Sequence, residues 1–172
     1  MSYRLLIKAA ALATTCWMSV SAAMAESRMA LVIGNSDYRT VTALPNPAND
    51  ATAVSVLLES AGFTVETHTD LGNSEMRRVI RNFSDQAKNA DMAVVYYAGH
   101  GLEVDGTNFL VPTDAKLQRD IDVEDEAVAL DRVLKMIELA RRLKLVIFDA
   151  CRDVPRSARG EQGGIEWRGL GR

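Results

Sequence analysis

One histidine and one cysteine in this chain have the surroundings that thiol chemistry needs. His100 stands between Gly99 and Gly101, and Cys151 follows Asp149 and Ala150, 51 residues further on. A thiol attacks a carbonyl carbon only as thiolate, and an imidazole beside it takes the proton or stabilises the anion. The two residue types must therefore meet in space, whatever their separation in sequence. Flanking glycines let the backbone turn sharply at the histidine and leave room for a peptide to approach. The N–H groups of Gly101 and Cys151 are candidate donors to the oxyanion of a tetrahedral intermediate, each worth on the order of 10²-fold in rate when well aimed. Taken singly, His100 reads as a loop histidine and Cys151 as a small buried hydrophobe. The chemical reading gains weight because both residues end a predicted strand. His68 lies on an alternating strand with no glycine beside it and is given no function.

The elements that must position the pair follow from the apolar pattern. Residues 29–33 and 92–98 are continuous apolar runs, the first closed by Gly34 and Asn35 and the second by Gly99, which suits strands buried on both faces. Residues 145–148 form a similar run leading into Asp149 and Cys151, and residues 63–70 alternate with period two. Helices are expected over 51–61, with Val54, Leu57 and Leu58 inward and Gly62 closing it, and over 74–90, with Met76, Val79, Ile80, Phe83 and Ala87 inward. Asn73 or Ser74 is the expected cap of the second helix, with Arg77 and Arg78 on its wet side. A third helix is expected over 130–142 through Val133, Leu134, Ile137 and Leu139. A hairpin turns at Asp105 and Gly106 and returns through 109–111. The acidic residues 120–126 read as a solvated loop. Strands alternating with helices at this spacing give an α/β, three-layer helix-sheet-helix domain with a mainly parallel sheet. Sites in such sheets lie beyond the carboxyl ends of the strands, where His100 and Cys151 both fall. No strand is followed by the glycine pattern of a P-loop or a dinucleotide-binding turn.

The first 25 residues read as a signal peptide: Arg4 and Lys8 precede an apolar run over 9–20 that ends in Ala23, Met24 and Ala25. The run is shorter than the roughly 18–20 apolar residues of a spanning helix, so no stable membrane span is expected. Cleavage after Ala25 predicts an exported chain, periplasmic or secreted. It removes two basic residues and no acidic one, moving the net charge from −3 to −5, and no basic patch suggests nucleic acid. It also removes Cys16, leaving Cys151 as a lone thiol where disulfides normally form.

Tyr97, Ala98, Gly99, His100 and Gly101, together with Phe148, Asp149, Ala150, Cys151 and Arg152, resemble the caspase-like cysteine peptidases, especially their bacterial, metacaspase-related branch. The spacing of histidine and cysteine matches the caspase pattern. Val32, Ile33, Gly34, Asn35, Tyr38, Leu44, Asn49, Asp50, Ala51, Gly62 and Phe63 extend the likeness, which covers residues 28–153. The resemblance implies a caspase-haemoglobinase-like fold, with a p20-type domain over 26–155. It also implies hydrolysis of peptide or protein substrates through a thioester, with His100 as base and Cys151 as nucleophile. Aspartate-cleaving caspases carry glutamine two residues before the cysteine; this chain carries Asp149, and Asp50 aligns with a second acidic pocket residue of metacaspase-like enzymes. Carboxylates there repel acidic side chains and pair with basic ones, so cleavage after Arg or Lys is expected. The plainer roles are a loop-closing or helix-cap carboxylate for Asp149 and a helix N-cap for Asp50. No cofactor is assigned. Some metacaspase-like enzymes require calcium, but the acidic run reads as solvated and no metal is assigned.

The chain departs from the family after Asp153. Residues 156–172 are rich in glycine and arginine and contain no strand-like run, so the sheet is expected to lack its final strands and to offer an edge to another chain. Two further readings stand beside the peptidase: a catalytically impaired module binding peptides or proteins through that edge, and a redox domain using the lone thiol, which lacks the second cysteine of a resolving step.

Overall fold

Residues 28–34 put five consecutive side chains into the interior, and only a strand buried on both faces accommodates such a run. It is strand β1 (Arg28–Gly34) of the computed structural model, which describes residues 26–119 and 121–150 and the backbone of Arg152 and Asp153. Residues 1–25, where the signal peptide is expected, Asp120, Cys151 and residues 154–172 lie outside the described residues. β1 is flanked in parallel by β2 (Thr64–Thr69) and β3 (Met92–Ala98), and β3 by β7 (Leu143–Asp149), giving the order β2-β1-β3-β7. Helix α1 (Pro47–Ser60) covers one face, packing with Val32, Val65, Tyr96 and Ala98. Helices α2 (Asn73–Ala87) and α4 (Leu130–Ile137) cover the other, around Leu31, Ile33, Val95 and Tyr97. This is the expected three-layer α/β fold. Beyond the carboxyl end of the sheet, β4 (Gly101–Val104) and β5 (Thr107–Leu110) form the hairpin. β6 (Val128–Ala129) and β8 (Arg152–Asp153) join it in a second sheet of order β6-β5-β4-β8. Among the described residues no helix is long and apolar enough to cross a membrane.

Several local expectations are corrected. α1 starts at Pro47 and not at the expected residue 51, since the fixed φ and missing N–H of proline suit a first helical turn. Its buried face is Pro47, Ala51 and Ser55, small residues that let the helix sit close on the sheet, while Leu57 stays exposed. Asn46 occupies the cap position and Asp50 lies in the first turn, so Asp50 is not the N-cap. α2 buries the five expected side chains, but neither Asn73 nor Ser74 caps it. The Asn73 N–H donates instead to Asp114 Oδ1 at 2.7 Å, a carboxylate placed where the helix dipole favours it.

Arg77 is half-buried rather than wet. Its guanidinium donates to the carbonyls of Glu124, Asp125 and Ala127 at 3.3, 3.1 and 2.7 Å, tying α2 to the acidic stretch. That stretch is not a solvated loop: helix α3 (Asp122–Glu126) forms there and Val123 is fully buried. Arg77→Met, which keeps the aliphatic stem and removes these charged donors, is expected to cost about 2 kcal/mol. A urea midpoint lowered at unchanged m would register it, and no shift would show the contacts to be idle. The helix expected over 130–142 ends at Ile137, and Leu134 and Leu139 are exposed. The Arg142 and Leu143 N–H groups bond to the Asp91 carbonyl, starting β7 beside β3. β7 is not buried on both faces as expected. Among the described residues it pairs only with β3, and Leu143, Leu145 and Ile147 are 39%, 41% and 40% exposed.

Candidate functional site

Three strand ends meet beyond the parallel sheet. Asn35, fully buried after β1, donates its main-chain N–H to Ala98 O at 2.9 Å. Its side chain accepts from the Leu71 N–H at 3.0 Å and donates to Val111 O at 3.2 Å. One side chain thereby fixes the exits of β1, β2 and β5 relative to β3. On the other side the Gly99 N–H reaches Asp149 O at 3.3 Å, which carries the β3–β7 pairing up to the candidate residues.

His100 is buried, and both ends of its peptide are held. Its N–H donates to Tyr38 Oη at 2.7 Å, and its carbonyl accepts from Tyr97 Oη at 2.8 Å; the two hydroxyls are 3.2 Å apart. The Tyr38 ring meets the imidazole edge to face with centroids 4.5 Å apart. Burial pushes the Tyr38 hydroxyl up to about 12 and that of Tyr97 well above its ordinary value, so both stay protonated as donors. The ring is anchored at Nε2, which lies 2.8 Å from Thr42 O. A carbonyl only accepts, so the neutral imidazole carries its proton on Nε2 and its basic lone pair on Nδ1. Tyr38→Phe leaves the His100 N–H buried without its acceptor. The expected loss is about 2 kcal/mol, a melting midpoint lower by roughly 4–8 °C. An unchanged midpoint would contradict this.

The glycines flanking His100 are needed for contact. A Cβ on Gly99 would lie 2.6 Å from both tyrosine hydroxyls, and one on Gly101 would lie 2.6 Å from Phe148 Cζ and 2.9 Å from Ala150 Cβ. Gly101 is also the β4 residue paired with Arg152 of β8. Ala150 and Arg152, which flank Cys151 in sequence, thus both lie against the residue after His100. Cys151 itself, as candidate nucleophile and as oxyanion donor, lies outside the described residues.

Asp149 and Asp50, far apart in sequence, line one cleft of about 200 Å³ with Leu44, Pro45, Asn46, Pro47, Ala98 and Gly99. Both carboxylates are exposed to it. Asp149 Oδ2 accepts from Tyr96 Oη at 3.1 Å. Burial first, then the Asp149 hydrogen bond and the charges of Asp149 and Asp50, push the Tyr96 hydroxyl up to about 12. Among the described residues lining the cleft there is no basic side chain.

The site thus joins a histidine held at Nε2, glycines on either side, a strand end beside it and an acidic cleft. The model of the caspase domain matches residues 27–169. The chain belongs to the caspase domain family. Human mucosa-associated lymphoid tissue lymphoma translocation protein 1 is 32% identical over 130 residues, covering 75% of this chain and 15% of that protein. Mouse caspase-1 is 25% identical over 143 residues, 81% of this chain and 33% of that protein. The chain spans a third or less of the length of these relatives.

Within this caspase-like site, Thr42, Tyr38, Tyr97 and Tyr96 went unassigned from sequence. Thr42 acts through a main-chain carbonyl, which any residue provides, so no side-chain pattern marks it. Tyr38 and Tyr97 enter the sequence reading only as part of the family likeness, with no role, and Tyr96 only within a strand; the signal is their hydroxyls, since a buried tyrosine needs a partner.

Proposed function

We propose that this caspase-family chain is a cysteine endopeptidase cleaving after Arg or Lys, with His100 and Cys151 as its dyad. His100 Nδ1 takes the Cys151 thiol proton, and the thiolate attacks the substrate carbonyl. The resulting oxyanion is met by the N–H groups of Gly101 and Cys151. The tetrahedral intermediate collapses to a thioester, the imidazolium protonating the departing amine, and water then hydrolyses the thioester with His100 again as base. The observation that carries this reading is the packing of Ala150 and pairing of Arg152 on Gly101, one residue from a histidine whose Nε2 is committed to Thr42 O.

The specificity half rests on the cleft shared by Asp149 and Asp50, whose two negative charges suit a guanidinium or ammonium and disfavour a carboxylate. The test is a panel of fluorogenic peptides differing only in the residue before the scissile bond. Arg and Lys peptides are expected to exceed the Asp peptide in kcat/KM by about 10²-fold or more, since a like charge in the cleft costs several kcal/mol. Preference for Asp would refute it. Export after cleavage at Ala25 belongs to the same proposal, supported by the charge and apolar pattern of the first 25 residues; mature protein beginning at Glu26 is the expected N-terminal sequence.

A second reading, a binding module using its sheet edge, is favoured by one observation. Outside its pairing with β3, β7 presents Leu143, Leu145 and Ile147 part-exposed. An edge of this kind accepts a strand from another chain by β-augmentation. Folded protein that binds strand-forming peptides but shows no thiol-dependent hydrolysis would favour it.

A further inference from the structure

Tyr96 is a core side chain of the sheet whose polar tip is bonded to a cleft carboxylate. It lies on the α1 face of β3, buried against Val32, Ala51 and Ala98. On β3 the residue paired with Asp149 is Ala98, so Tyr96 is its diagonal neighbour, at a distance only a long side chain spans. Its hydroxyl covers that distance and donates to Asp149 Oδ2 at 3.1 Å.

We infer that Tyr96 is a positioning residue for substrate recognition, holding the Asp149 carboxylate in the orientation that receives a basic side chain in the cleft shared with Asp50. The inference rests on the acidic-cleft reading above and adds how that cleft is kept both ordered and charged. Asp149 is exposed at the end of β7, which among the described residues pairs only with β3. An arginine or lysine partner would order it but neutralise it and occupy the lone pairs the substrate needs. A neutral O–H donor takes one lone pair of Oδ2 and leaves Oδ1 and the full negative charge to the ligand. Preorganisation of this kind spares the substrate the entropy of ordering the side chain on binding. With its hydroxyl pushed up to about 12, Tyr96 remains that neutral donor throughout the pH range of peptidase assays.

The experiment compares two reporters that differ only in charge, one with arginine and one with citrulline, its uncharged isostere, before the scissile bond. For the wild type, Arg is expected to exceed citrulline in kcat/KM by about 10²-fold, since the cleft groups lose their charge partner. In Tyr96→Phe, which keeps the ring and its packing, the Arg advantage is expected to fall about tenfold, as for a lost hydrogen bond to a charged group. The loss should lie in KM, with the citrulline rate unmoved. Tyr96→4-aminophenylalanine, which restores a neutral donor at the same reach, is expected to bring the ratio back to within about twofold of wild type. Equal losses on both reporters, as a merely structural defect gives, or an unchanged Arg/citrulline ratio in Tyr96→Phe, would overturn the inference. If the phenylalanine variant is too unstable to assay, failure of the 4-aminophenylalanine variant to preserve the ratio does the same. A wild type that does not distinguish Arg from citrulline overturns the acidic cleft itself, an outcome separate from the other two.

Discussion

Replacing His100 with alanine is expected to lower kcat on an Arg-terminated reporter by about 10³–10⁴-fold, the usual contribution of a general acid–base group that also activates the nucleophile. The size follows from what the side chain alone supplies. The contacts that hold the 99–101 segment run from main-chain atoms: the N–H to Tyr38, the carbonyl to Tyr97 and to the Val111 N–H. Alanine retains all three. What it removes is the imidazole, with Nε2 bonded to Thr42 O and its edge-to-face contact with Tyr38. Folding should therefore suffer by about 3 kcal/mol, as for truncating one buried ring and its Thr42 hydrogen bond at a site that keeps its main-chain hydrogen bonds. A thermal melt run beside the kinetics separates the two effects. A cooperative melt with activity within tenfold of wild type would show that His100 is not the base.

Asp149→Asn is the second large effect. Asparagine keeps the shape and an oxygen to accept from Tyr96, so the strand end and its hydrogen bond survive while the charge is lost. A lost partner in a charge pair costs several kcal/mol, and exposure of this cleft places the expected fall in kcat/KM for the Arg reporter near 10²-fold. Asp50→Asn should cost less, since Asp50 reaches the cleft from the first turn of α1, where the helix dipole already stabilises a carboxylate. A spectroscopic consequence has a defined sign. Asp149 raises the Tyr96 hydroxyl through both its hydrogen bond and its charge, so Asp149→Asn should lower that titration from about 12 toward the ordinary value, leaving the burial contribution in place. Ultraviolet titration of the phenolate reads this directly, and an upward or absent shift would separate Tyr96 from Asp149.

The parts of the fold that were legible in the sequence are those where one periodicity dominates. The runs at β1 and β3 and the five-residue apolar face of α2 were set by burial and appear where the pattern put them. Where apolar residues were recruited to other ends, the pattern misled. Leu57, Leu134 and Leu139 fit a helical stripe but stay exposed: Pro47, Ala51 and Ser55 make the closer approach to the sheet in α1, Val133 and Ile137 form the buried face of α4, and the chain has left α4 before Leu139 to reach β7. Charge counts misled at residues 120–126 for a similar reason: Val123 in the middle of the acidic run anchors a helix, and Arg77 supplies its carbonyl partners from 47 or more residues away. In the site, the candidates named by residue type were legible because imidazole and carboxylate have few substitutes. The tyrosine clamp and the Thr42 carbonyl were not, since each exists only once loops distant in sequence are brought to the strand ends.

The most direct measurement is to treat the folded chain with an Arg-terminated acyloxymethyl ketone and map the adduct by mass spectrometry. The predicted result is a single adduct on Cys151 Sγ, slowed about 10³-fold or more in His100→Ala, since alkylation requires the thiolate, and absent with the Asp-terminated probe. Folded protein that leaves Cys151 unmodified, or that labels equally fast without His100, would contradict the dyad.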